Sequence, residues 1–199
     1  MTTIYFVRHG EYKNFDIVAN RLKGFPLSNE GRKQIEKIAV FFKGKNIKAI
    51  FSSPLLRTKQ TAGILNKKIN LKIRISNLIN EVDSPFKGST RKYVLEEIKN
   101  VYKNSFYIEH NGETMISIYN RMKKFVNKVL KNYKNKRIIA VSHGDPIMIF
   151  LMRERKLKFN GDYSIFKKGK MEYIPPGGVV EINYNNKTII GIKPLNWIF

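Results

Sequence analysis

The sequence predicts an α/β protein built on a mostly parallel sheet with helices on both faces. Short apolar, β-branched runs alternate along the chain with segments of helical period, the pattern of strands joined by crossover helices. Two of those runs also end alike. Residues 3–7 stop on Arg8, His9 and Gly10, and residues 137–142 stop on His143 and Gly144. In open α/β sheets ligands sit at the carboxyl ends of strands, so an Arg-His pair followed by a flexible glycine is well placed there to meet an anion.

Residues 12–25 are polar and irregular and are expected to form the rim of such a site. A helix follows over residues 31–42, where Ile35, Ile38, Ala39 and Phe42 share one face. Residues 49–51 make a second strand. Ser52-Ser53-Pro54 then reads as a capping hydroxyl with proline at the first helical position, which puts Arg57 in the first turns of a helix. A helix N-terminus favours anions, and an arginine there adds a planar, bidentate partner for phosphate.

A third strand over residues 71–75 leads to two carboxylates, Glu81 and Asp83. Alternation along an extended segment sets both on the same side, so spacing prefers neither. Residues 90–103 are expected to be helical. Lys87, Arg91 and Lys92 either meet a second acidic group on a ligand or belong to a solvated loop. Asn111-Gly112-Glu113-Thr114 opens a long helix to Tyr133, with Met115, Ile118, Met122, Phe125 or Val126, and Val129 on its apolar face. His110, just before it, reads as a loop histidine without a role. Asp145-Pro146 repeats the cap-and-proline signature and places His143 and Gly144 at a positive helix end. Residues 153–176 are basic and aromatic without a clear period, suiting either a pocket wall or an oligomer contact. A hairpin around Asn185-Asn186 finishes the sheet.

Composition bounds the function. A chain of 199 residues suits one domain, 1–199, with a small insertion. The absence of cysteine excludes disulfides, thiolate metal sites and a cysteine nucleophile, and leaves the compartment open. Arg8 interrupts the first apolar run too early for a secretory leader, and residues 147–152 are too few to span a bilayer, so a soluble cytoplasmic protein is expected. The net charge of +23 raises the prospect of a nucleic acid or another polyanion. Its excess, however, is mostly lysine, 28 against 10 arginines, alongside 20 asparagines and 26 isoleucines spread along the chain. That spread predicts a solvated cationic surface and makes nucleic acid an unlikely partner. A homodimer stays open, since no interface stripe stands out.

Taken together, RHGE (8–11), PLSNEGRKQ (26–34), IFSSPLLRTKQTA (50–62), NGET (111–114) and VSHG (141–144) resemble the histidine phosphatase superfamily, also called the phosphoglycerate mutase-like family. They follow the family's order over most of the chain. The resemblance implies a three-layer α/β/α fold with a small helical insertion, about 84–111, covering the site. It also implies a metal-independent phosphatase that needs no cofactor and acts on a small phosphorylated metabolite through a phosphohistidine. In that scheme His9 attacks phosphorus, Arg8 and Arg57 hold its oxygens, and His143 donates a hydrogen bond to them. Glu81 protonates the leaving alcohol and later activates water, Asn14 touches the phosphate, and Gly144 lies beside it. Two departures stand out. Tyr12 replaces the family's common Thr or Ser, and Ser84-Pro85-Phe86-Lys87-Gly88 replaces its Gly-aromatic-Glu-Gly.

The chemistry suits the residue types, because neutral imidazole is a competent nucleophile and nearby guanidinium groups disfavour its protonation. The same cations stabilise the transferring phosphoryl group, and three scattered histidines without cysteine offer no metal-ligand spacing. A cofactor-dependent phosphoglycerate mutase is the second expectation, although such enzymes resemble longer chains with a bigger insertion. A protein phosphohistidine phosphatase is another, although its smallest family members lack the insertion. An inactive phosphate- or nucleic-acid-binding module comes from a different class.

Overall fold

The computed structural model describes residues 1–98, 101–157 and 172–195. β1 (Thr2–Arg8), β2 (Ile47–Ser52), β3 (Ile73–Ile75) and β4 (Arg137–Ser142) run parallel, and β5 (Val179–Asn185) and β6 (Thr188–Leu195) add an antiparallel hairpin beside β1. The order across the sheet is β3-β2-β4-β1-β5-β6. The hairpin turns on Asn186 and Lys187, one residue later than the sequence suggests, with Asn186 at φ 52°. Left-handed backbone otherwise favours glycine, yet among the described residues seven of the eight such non-glycine positions are asparagines, whose short amides tolerate it.

The central strands β1 and β4 are buried on both faces, while the edge strands β3 and β6 are largely exposed. Ile4 and Phe6 pack with Met122, Phe125, Ile147 and Phe150 from α4 (Met115–Asn132) and α5 (Gly144–Glu154). Tyr5 and Val7 alternate to the opposite face and pack with Ile35, Ile38, Phe42 and Leu65 from α1 (Asn29–Phe42) and α2 (Leu56–Asn66). The three layers expected from the sequence follow directly. Among the described residues, no helix is long and apolar enough to cross a membrane.

Three local readings need correction. Residues 90–103 do not form one helix. They make a wide turn over Tyr93–Glu97 and a 3-10 turn over Val101–Lys103, before α3 (Ser105–Glu109) is capped by the Asn104 side chain. Val94, Ile98 and Val101 keep helical spacing and are buried with Tyr107, Ile118 and Ile149, so the apolar anchors read correctly although the helical turns end at Ile98, at φ −102° and ψ 83°. Second, α2 begins at Leu56 and not at Pro54, because Ser53 is still engaged with the sheet through its N–H on the Val141 carbonyl. Third, α5 begins at Gly144 with His143 as its cap, so Asp145 lies inside the first turn and its carboxylate accepts from Tyr102 and Tyr173. Most of the stretch 153–176 read as a wall or oligomer contact lies outside the described residues.

Candidate active site

Strand register brings the two His-Gly units together. β1 and β4 are adjacent, parallel and paired with Arg8 opposite Ser142, so the next residues, His9 and His143, emerge side by side. Their ring centroids are 5.1 Å apart, and both rings are buried. β2 pairs Ser52 with Val141 and so delivers Ser53 to the same end of the sheet.

The loop carrying His9 is held on every side. The His9 N–H donates to Ser142 and its carbonyl accepts from Gly177. Gly10 N–H donates to Thr61 of α2, and Glu11 N–H to Gln34 of α1. Gly10 is required for closeness and not for flexibility, since a Cβ there would press into the Gly31 carbonyl at the start of α1.

Hydrogen bonds assign both imidazole tautomers. His9 Nδ1 lies 2.8 Å from the Gly10 carbonyl, which can only accept, so Nδ1 carries the proton and Nε2 the lone pair. Nε2 in turn accepts from Arg57 Nε at 3.3 Å. For His143 the chain is longer. Glu81 N–H donates to Asn80 Oδ1, which fixes that atom as an acceptor. Ser53 Oγ must then donate to it, so His143 Nε2–H donates to Ser53 Oγ at 2.8 Å. His143 Nδ1 is left 3.3 Å from Glu81 Oε2 but not aligned as a hydrogen bond, and it has no such partner among the described residues.

Arg57 is almost wholly buried and holds the group together, with a terminal nitrogen 3.7 Å from Glu81 Oε2 and 2.6 Å from the Asn20 carbonyl. Arg8 donates to the Ile174 carbonyl, while its buried Nε has no partner among the described residues. Two buried, unpartnered nitrogens on Arg8 and His143 are unusual, since buried polar groups are nearly always paired. The Arg8 Nε–H is a donor that suits an incoming anion, and the His143 Nδ1 lone pair becomes one only when it takes up a proton.

The sequence missed what positions Glu81. Arg21 and Arg121 fork around the carboxylate of Glu113, and both donate to the Glu81 carbonyl. Arg121 also holds the Leu78 and Asn80 carbonyls, so the whole turn before Glu81 is clamped by α4. Glu113 stands in NGET and Ser53 in SSPLL, so both motifs flagged them without revealing what they bind. Geometry also separates the two candidate carboxylates. Glu81 lines the cavity, whereas Asp83 is half exposed and paired with Arg21.

Asn14 does not join the site. It sits exposed in a left-handed turn, φ 57°, whose carbonyl accepts from Ile17, and Asn20 faces Arg57 and the cavity instead. Gly144 does line the cavity, close against the Tyr173 side chain. His110 caps α3 with its ring stacked on Phe106, away from the other histidines. Of Lys87, Arg91 and Lys92, only Arg91 lines the cavity.

The view that scattered histidines offer no ligand cluster also needs correction, because ligand atoms of His9, Glu81 and His143 lie within 4.8 Å of one another. Strand register, invisible in residue spacing, produces that convergence. Arg57 against two of the three, with Arg8 adjacent, makes the field hostile to a dication and favourable to an anion.

Burial first, and Arg57 next, hold both imidazoles well below the ordinary histidine range. They are neutral in the fold, whereas the unfolded chain takes up those protons below about pH 6.5. The unfolded state then binds more protons, so stability must fall with acidification, with a slope approaching about 2.7 kcal/mol per pH unit for two rings. Urea midpoints should therefore drop between about pH 6.5 and 5. Burial and Glu81 raise Asp145, which acts in the opposite sense, so the telling quantity is the difference from a His9→Ala/His143→Ala variant. Parallel pH curves for the two proteins would contradict neutral rings.

Fixed positive charge around a neutral imidazole, with one carboxylate at hand, belongs to phosphoryl-transfer chemistry. The model described as "Histidine phosphatase superfamily (branch 1)" matches residues 4–184, and the chain belongs to that superfamily. It is a hydrolase with phosphatase activity. Phosphoserine phosphatase 1 of Hydrogenobacter thermophilus is 30% identical over 159 residues, 74% of this chain and 73% of that protein. The probable phosphoglycerate mutase GpmB of Proteus mirabilis is 29% identical over 153 residues, 72% of this chain and 70% of its own length. A solved phosphoserine phosphatase from Entamoeba histolytica, in complex with 3-phosphoglyceric acid, superposes with TM-score 0.75 at 18% identity, covering 100% of both chains.

Proposed function

We propose that this phosphatase hydrolyses a small phosphomonoester without a metal ion, through a phosphohistidine on His9. The observation that carries the reading is the unprotonated His9 Nε2, with Nδ1 tied to the Gly10 carbonyl and the lone pair accepting from Arg57. An incoming phosphoryl group takes over the Arg57 donor and frees that lone pair. Nε2 then attacks phosphorus, the N–P bond forms, and the P–O bond to the alcohol breaks. Arg8 and Arg57 gather the charge on the phosphoryl oxygens. A dianion beside His143 favours its imidazolium, whose Nδ1–H donates to the same oxygens. Glu81 gives its proton to the departing alkoxide. It then takes one from water, whose oxygen attacks phosphorus and releases His9.

Relatives named for phosphoserine and a solved structure holding 3-phosphoglycerate support a small phosphorylated metabolite as substrate. Cytoplasmic action, weak nucleic-acid binding at physiological salt and one domain over 1–199 with its insertion at about 84–111 belong to the same reading, and a homodimer stays open. The mutase relative supports a second reading, cofactor-dependent isomerisation of a phosphoglycerate.

A panel of phosphorylated metabolites, with and without 2,3-bisphosphoglycerate and with excess EDTA, tests these together. Phosphate release unchanged by chelator is the expected result. Loss to EDTA with recovery on Mg²⁺ or Zn²⁺ would overturn metal independence, isomerisation only with bisphosphoglycerate would select the mutase, and no turnover would leave an inactive binding module.

A further inference from the structure

The cavity over His9 has a volume of about 410 Å³, within the range of sites that take whole small molecules and more than a phosphoryl group fills. One end is the charged cluster already described. Among the described residues, the rest is walled by the rim and by the cover segment, including Phe15, Val18, Phe86, Val94, Leu95 and Tyr107.

The tyrosine hydroxyls on that wall are committed to the protein, and Asn20 Oδ1, which has no partner among the described residues, can only accept and so offers an anion nothing. Tyr12 donates to the Ile17 carbonyl, Tyr107 to the Glu113 carbonyl, and Tyr102 and Tyr173 to Asp145. These residues therefore offer a ligand mainly ring surface. Among the described lining residues, Arg8, His9 and Arg91 are the basic ones. Arg8 belongs to the phosphoryl end. Arg91 is held by the Phe15 carbonyl and the Tyr12 hydroxyl, both at 3.0 Å, and its guanidinium lies 4.3 Å from the Phe15 ring centroid. A guanidinium laid on an aromatic ring and bonded twice to protein adds to the wall more than it reaches for a carboxylate. A charged leaving group would exchange water for this surface without compensating partners, whereas an apolar one gains by the exchange.

We propose that the leaving alcohol is apolar, with an aromatic or bulky hydrocarbon body, and that the cover segment sets this preference. The proposal rests on the phosphatase reading and narrows it to a substrate class. It assigns Leu95, half exposed at the cavity, as a specificity-determining residue.

The test compares kcat/KM for 2-phenylethyl phosphate, glycerol 3-phosphate and 3-phosphoglycerate, whose leaving groups are all alcohols. 2-Phenylethyl phosphate is expected to be preferred over either by about 30-fold, the scale of burying one phenyl ring. Leu95→Lys, at a position exposed enough to spare the fold, should shift the ratio of 2-phenylethyl phosphate to 3-phosphoglycerate by about tenfold toward the acid. Equal rates, or a preference for 3-phosphoglycerate, would overturn the proposal and give Arg91 to the carboxylate. An unchanged ratio in Leu95→Lys would overturn the role of the cover. Phosphoenzyme on His9, measured in parallel with p-nitrophenyl phosphate, separates the two failures. If it forms while the alcohols are not discriminated, only the substrate class is wrong; if it forms with no ester, the phosphatase reading falls and this inference with it.

Discussion

His9→Ala should lose phosphatase turnover by at least about 10⁴-fold in kcat/KM, because on the proposed mechanism it removes the nucleophile, abolishes the covalent route and leaves only the binding and electrostatic part of catalysis. The fold should survive. The variant deletes a buried ring whose backbone contacts, to Ser142 and Gly177, do not depend on the side chain. Circular dichroism unchanged from wild type would show that the loss is chemical. A variant keeping more than about a hundredth of wild-type activity would exclude His9 as the attacking group.

Glu81→Gln is the second large effect, and it should depend on the leaving group. An alkoxide needs a proton as its bond to phosphorus breaks, while p-nitrophenolate departs without one. General acid help is worth about 10²- to 10⁴-fold where it is needed. Alkyl phosphate hydrolysis should therefore fall by that range, while phosphoenzyme formation from p-nitrophenyl phosphate is largely spared. Phosphoenzyme should then accumulate, because on the proposed mechanism the same carboxylate activates water. Asp83→Asn should show neither behaviour, since its carboxylate pairs with Arg21 and is not part of the cavity lining. A leaving-group-dependent loss in Asp83→Asn, with Glu81→Gln near wild type, would reassign the acid.

The parts of the site legible in the sequence were those carried by local pattern. Apolar runs ending on Arg8-His9 and on His143 marked two strands and the end of the sheet they share. What joins them is register, Arg8 opposite Ser142, and no spacing along the chain encodes which strands are neighbours. For the same reason the His143–Ser53–Asn80–Glu81 chain and the Arg21–Glu113–Arg121 clamp were invisible, though each contains a residue of a recognised motif. Asn14 failed because a left-handed turn carries it to the surface, a backbone choice the sequence permits in any asparagine. Residues 90–103 failed as a helix because the buried spacing of Val94, Ile98 and Val101 is met by short turns equally well.

The most direct test is the chemical identity of the covalent intermediate. Wild-type protein mixed with ³²P-labelled substrate and quenched within milliseconds should carry label that is stable in alkali and lost in acid, the behaviour of a phosphoramidate. Peptide mapping in alkali should place it on His9, with none on Ser53 or His143. Label that survives acid, or that maps to a residue other than His9, would contradict the account.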